Sequence, residues 1–148
     1  MNDSTSMSLV SGDPFLSHAG IELKRAERYR IFVSLVVIDL SGLENLLGGW
    51  SPDRLSGIEG AVRAHIRASD VVSFVDQSSL ALLFPETSRQ GAEAAGRRLT
   101  ETIRKFVGES IGHAVDYVLP LEMASYPDAA GAKSLATFLG ELAHKHRN

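Results

Sequence analysis

The sequence predicts an α+β fold in which helices flank a central, mainly antiparallel sheet. Three observations predict it. Two short apolar runs, Val71 to Val75 and Leu80 to Phe84, stand on either side of the polar Asp76-Gln77-Ser78-Ser79, which is hairpin spacing. A run dense in β-branched residues, Phe32 to Ile38, ends at Asp39 and reads as a central strand. Segments of helical periodicity alternate with these strands instead of grouping apart, giving the order α-β-α-α-β-β-α-β-α.

Each element has its own signal. The first dozen residues are rich in Ser, Asp, Asn and Gly and read as a flexible tail, 1–12, ahead of a single domain, 13–148. Pro14 can open a helix with Asp13 as its cap, and Phe15, Ala19, Leu23, Ala26 and Tyr29 form one apolar stripe on a basic helix. Such a stripe is a candidate contact for a homodimer. After the strand ending at Asp39 comes a turn-rich stretch through Gly48-Gly49-Trp50-Ser51-Pro52, with room for at most a short helix. Ser51 and Pro52 then start a helix expected to reach about Ala68, burying Leu55, Ile58, Val62 and Ile66. Pro85 closes the second hairpin strand. Ser88 to Val107 is an Ala/Arg-rich helix, 114–126 holds one or two strands, and Lys133 to His144 is a final amphipathic helix.

Composition narrows the function. With 44% hydrophobic and 22% charged residues among 148, the chain is ordinary for a globular domain. A formal charge of -3 gives no reason to expect nucleic acid or an anionic membrane as partner. The absence of cysteine excludes disulfides and thiolate metal sites. No apolar run approaches the roughly 20 residues that span a bilayer, and no basic region precedes an apolar block at the N-terminus, so a soluble, cytoplasmic protein is expected. The histidines His18, His65, His113, His144 and His146 lack metal-ligand spacing, and no P-loop or Ser/His/Asp pattern is present.

The segment Leu80-Ala81-Leu82-Leu83-Phe84-Pro85-Glu86-Thr87 resembles the strand and Pro-Glu-Thr that follow the signature hairpin of GGDEF domains, the diguanylate cyclases. Arg25-Ala26-Glu27-Arg28-Tyr29 with the strand to Ile38-Asp39-Leu40 resembles the family's opening helix and first strand. Met123-Ala124-Ser125-Tyr126-Pro127 is similar to the end of a later one. The likeness runs from about Asp13 to the C-terminus. It implies a GGDEF/nucleotide-cyclase-like fold, a ferredoxin-like palm, and a place in bacterial cyclic di-GMP signalling.

The departures bear on activity. Aligning Pro85 with the family's proline puts Asp76-Gln77-Ser78-Ser79-Leu80 where the signature reads Gly-Gly-Asp/Glu-Glu-Phe. The glycines that admit a nucleotide closely are replaced, and the acidic pair that helps hold two divalent cations becomes two hydroxyls. Asp39 stands at the first metal position without its partner carboxylate. The family's phosphate-region lysine falls at Glu44, its guanine-reading Asn near Leu47, and its C-terminal lysine at Ala143, with Lys145 close by. Phosphoryl transfer needs metal ions to neutralise the triphosphate. The resemblance therefore implies a degenerate domain with no catalytic residues, no metal and no cofactor.

One family feature is retained. Arg67-Ala68-Ser69-Asp70 matches the Arg-x-x-Asp motif of the family's inhibitory product site, and Arg98, beside Arg97, matches a second arginine on the following helix. A guanidinium fork can make two parallel hydrogen bonds to guanine O6 and N7, and a carboxylate can accept from the N1–H and N2–H₂ edge. A plainer reading stands beside it: Arg67 and Asp70, three residues apart, pair on the surface for about 0.3–0.5 kcal/mol and bind nothing. The expectations are a cyclic di-GMP receptor using Arg67, Asp70 and Arg98 and acting on a protein partner, or a nucleotide-independent interaction or dimerisation module on the same fold. Trp50 is expected to pack over the former nucleotide cleft or to anchor an interface.

Overall fold

The structure, a computed structural model, describes residues 12–128 and 131–147. Among them the elements follow the expected order: α1 (Gly12–Tyr29), β1 (Val33–Asp39), α2 (Ser41–Leu47), α3 (Pro52–Arg63), β2 (Val71–Asp76), β3 (Ser79–Pro85), α4 (Arg89–Ile111), β4 (Leu121–Tyr126) and α5 (Leu135–Arg147). The expected tail, 1–12, lies outside the described residues except for Gly12, which is already helical. The cap expected at Asp13 therefore falls inside α1.

One sheet has the strand order β2-β3-β1-β4, and every neighbouring pair is antiparallel. β1 is interior, and Val33 through Ile38 are all buried, which explains why its sequence is nearly continuous in apolar residues instead of alternating. Side chains leave a strand on alternate faces, so β1 feeds two cores. Leu35 and Val37 join Ala81, Leu83 and Ala124 beneath α1 and α5. Val36 and Ile38 join Leu80, Leu82 and Phe84 beneath α2, α3 and α4. The result is a three-layer sandwich. The apolar stripe of α1 (Phe15, Ala19, Leu23 and Ala26) is spent inside the first core, leaving Ile21 and Tyr29 as its exposed apolar residues.

Helix ends follow local chemistry. The Ser51 hydroxyl accepts the Arg54 N–H at 3.2 Å with Pro52 at the first helical position, so α3 begins where expected. It ends at Arg63, short of Ala68, and Leu55 and Ile66 are only half-buried while Ile58 and Val62 are fully so. The cause lies beyond the helix, where the Asp70 carboxylate captures the Arg67 N–H at 2.9 Å and draws the chain into a turn. Ser88 caps α4 by accepting the Gly91 N–H, and α4 runs past Val107 to a left-handed Gly112. The stretch 114–126 yields one strand only. Its first part is irregular and is held by Arg104, whose Nε and Nη2 donate to the Val115 carbonyl at 3.2 and 2.8 Å.

A polar chain crosses the otherwise apolar interior. Ser34 Oγ donates to the Thr87 carbonyl at 2.8 Å and lies 2.7 Å from Ser125 Oγ. A hydroxyl has one proton, so Ser125 is the donor in the second bond.

Two substitutions test this packing. Leu82→Ala, at a fully buried site, is expected to lower stability by about 2–5 kcal/mol in chemical denaturation. A Cβ at Gly108 would sit 2.9 Å from the His113 carbonyl oxygen, an atom of the backbone, so Gly108→Ala should cost about 1–3 kcal/mol despite alanine's better helix propensity.

Candidate functional site

Two groups of residues carry the chemistry, one at each end of the β1–β3 ladder. At the first, the register sets Asp39 opposite Ser79, and the Leu40 N–H donates to the Ser78 carbonyl at 2.7 Å. The bend between Asp76 and Ser79 is glycine-free. Its residues avoid positive φ because Asp76 Oδ1 accepts the Ser78 N–H at 2.9 Å, an Asx turn, and a bulge between Phe74 and Asp76 absorbs the mismatch in twist. A cleft of about 370 Å³ opens here, lined by Asp39, Ser41, Ser78, Ser79, Glu122 and Lys145 among others.

This donor set does not fit two divalent cations. Asp39 Oδ1 already accepts the Ser41 N–H at 2.9 Å, tying the strand end to α2. Ser78 and Ser79 supply neutral oxygens, Glu122 adds one carboxylate, and Lys145 lines the same cleft. Among the described residues no three His, Asp or Glu side chains are grouped closely enough to hold a metal ion. Hard cations take charged oxygen ligands, and a neighbouring ammonium opposes them. Lys145 lines the cleft where the aligned position, Ala143, does not. Leu142 and Lys145, three residues apart on α5, share the face that the cleft meets.

The other aligned positions lie on α2 and in the loop after it. Glu44 is exposed in the first turn of α2. Leu47 and Trp50 pack on the core, and the Leu47 carbonyl accepts from the Arg54 guanidinium. Packing is thus the role of Trp50, although its indole N–H is buried without a partner among the described residues.

The second group lies where the hairpin strand β3 ends. Arg67 and Asp70 sit on a turn, with Asp70 N–H donating to the Arg67 carbonyl at 3.0 Å, and not on a helix as the sequence suggests. The Asp70 carboxylate accepts from Arg67 Nε at 3.3 Å and Nη2 at 3.1 Å in a side-on fork. That hydrogen bond is the main reason the guanidinium pKa is raised above its ordinary value. Burial is lopsided: the Arg67 side chain is 58% exposed and that of Asp70 only 4%. Arg67 Nη2 also donates to the Pro85 carbonyl at 3.2 Å and to Thr87 Oγ1. Nη1 makes no hydrogen bond among the described residues, so the outer edge of the fork is open.

Arg98 lies on α4. Gly57 of α3 meets the Phe106 ring of α4, while the chain beyond α3 meets Thr87, just before α4 begins. The two helices therefore run antiparallel. At about 1.5 Å per residue, Arg63 comes roughly level with Thr100, which puts Arg98 near the end of α3. Arg98 is exposed, and its guanidinium has no hydrogen bond or ion pair among the described residues, whereas Arg97 pairs with Glu93 at 3.3 Å. Sequence reasoning missed Thr87, whose hydroxyl reaches Arg67 across twenty positions of chain.

No protein-family model matches the chain, and no curated protein matches it. Solved structures do. Among them is the diguanylate cyclase SiaD of Pseudomonas aeruginosa, solved in complex with its activator SiaC, at 17% identity and a TM-score of 0.64, covering 90% of this chain and 54% of that one. The chain thus spans about half of that protein. The GGDEF domain of PA1120 (YfiN or TpbB) from the same organism is 21% identical with a TM-score of 0.60, covering 90% of this chain and 84% of that one. The GGDEF domain of DgcB from Caulobacter crescentus, solved in complex with c-di-GMP, is 12% identical with a TM-score of 0.54, covering 90% and 80%. These likenesses, with the shared arrangement of sheet and helices, establish that the chain has the GGDEF-domain fold.

Proposed function

We propose that the chain is a catalytically inactive GGDEF domain that works in the cytoplasm as a cyclic di-GMP receptor and passes the binding event to a protein partner. The observation that carries this reading is the state of Arg67: half-exposed, oriented by a buried carboxylate, with no partner for Nη1 among the described residues. A guanidinium fixed in this way loses little rotamer entropy when it pairs with a guanine edge or a phosphate. Arg98, exposed on the flank of α4 and without a side-chain partner among the described residues, supplies a second cation for stacking or a phosphate. The DgcB domain, solved with c-di-GMP, supports the ligand class.

Inactivity is argued from charge. In place of an acidic pair the bend carries Ser78 and Ser79, Asp39 is engaged with the Ser41 N–H, and Lys145 faces the same cleft. The catalytic role of the metals, neutralising and aligning a triphosphate, has no adequate set of ligands there.

One observation favours the alternative of a nucleotide-independent interaction module. Asp70 and Arg67 satisfy each other, and a carboxylate only 4% exposed needs no ligand to explain its place. If a guanine N1–H and N2–H₂ edge is to reach Asp70, the carboxylate has to yield part of its fork with Arg67.

Calorimetric titration with cyclic di-GMP separates the two. The receptor reading predicts submicromolar binding to the wild type, loss of at least 100-fold in Arg67→Ala, and about tenfold weakening in Arg98→Ala. A flat wild-type titration leaves the interaction module. Incubation with GTP and Mg²⁺ is expected to yield no dinucleotide by chromatography; measurable product would overturn the inactive reading.

A further inference from the structure

We propose that Thr87 is a positioning residue for Arg67, tying its guanidinium to the centre of the sheet and so setting the edge offered to a ligand. The inference rests on the receptor reading for its consequence in binding, and on geometry for the positioning itself.

Thr87 makes contacts in three directions. Its Oγ1 accepts from Arg67 Nη2 and donates to the Pro85 carbonyl at 3.0 Å. Its own carbonyl accepts the Ser34 Oγ proton at 2.8 Å, and Ser34 is fully buried in the interior strand β1. Ser125 on β4 completes the chain by donating to Ser34 at 2.7 Å. A surface guanidinium is thereby connected through one residue, by its hydroxyl on one side and its main-chain carbonyl on the other, to two strands.

The backbone supports this reading. Glu86, between Pro85 and Thr87, holds φ at +53°, the left-handed region that residues other than Gly, Asn and Asp seldom enter. That bend lets Thr87 turn its carbonyl inward to Ser34 and its hydroxyl outward to Arg67. Asp70 holds Nε and Nη2 from one side only. With Thr87 and the Pro85 carbonyl fixing Nη2 from the other side, Nη1 is the guanidinium nitrogen that bonds to none of the described residues and is left to a ligand.

The test uses the full chain as wild type, Thr87→Val and Thr87→Ser, with two readouts. In ¹⁵N spectra without ligand, the Arg67 Nε–H signal of the wild type should be sharp and protected from exchange. In Thr87→Val it should broaden and exchange faster than in the wild type, although the Asp70 carboxylate still accepts from Nε, and Thr87→Ser, which keeps the hydroxyl, should restore it. In titration with cyclic di-GMP, Thr87→Val should bind about tenfold more weakly at a temperature where all three proteins are folded by circular dichroism, and Thr87→Ser should match the wild type. An unchanged Nε–H signal in folded Thr87→Val overturns the proposal, as does unchanged affinity in a variant that is merely less heat-stable. A wild type that binds no dinucleotide sinks the receptor reading alone, and the spectra still decide whether Thr87 positions Arg67.

Discussion

The antiparallel pairing of β1 with β3 is the constraint on which the molecule's chemistry depends. Its register runs from Val33 opposite Pro85 to Asp39 opposite Ser79. At about 3.4 Å per residue, that ladder separates its two ends by roughly 20 Å. One end carries the cleft with Asp39, the bend hydroxyls and Lys145; the other carries Pro85 and Thr87, which hold Arg67. A slip of one residue would turn β1's two apolar faces over and move both groups, so two-sided burial of Val33 to Ile38 fixes the geometry of each.

The two ends differ in what the fold asks of them. At the bend, an Asx turn through Asp76 does the work that glycine would do by taking positive φ, so the hairpin survives without the glycines. Stability of the fold therefore places no demand on metal-binding carboxylates there, and Asp39 serves as a tie to α2. At the other end the charges are engaged with one another, and a buried carboxylate orients an exposed guanidinium. One end thus pairs an outward-facing arginine with a buried carboxylate, and the other carries the neutral hydroxyls of Ser78 and Ser79.

Much of this was legible in the sequence where the signal is local. Ser51-Pro52 announced α3, the polar run from Asp76 to Ser79 announced the hairpin, and the β-branched run announced β1 as an interior strand. The Pro85 alignment placed Asp39 beside the bend, and the register agrees. What escaped depends on contacts distant in the chain. The end of α3 was set too late because the apolar spacing continues through Ile66, and only Asp70's capture of the Arg67 N–H stops the helix. Lys145 lines the cleft in place of Ala143 because the phase of α5 decides the matter and alignment does not. Thr87 could not be read as a partner of Arg67 until the sheet had brought the end of β3 against the turn before β2.

We propose that guanine nucleotides meet this chain at Arg67 and not at Asp39. Crystals grown with cyclic di-GMP, Mg²⁺ and a non-hydrolysable GTP analogue together test this most directly. Dinucleotide density is expected against Arg67 Nη1 and Arg98, with no paired cations at the bend. Two magnesium ions held between Asp39 and the Ser78-Ser79 hydroxyls beneath a triphosphate would contradict it.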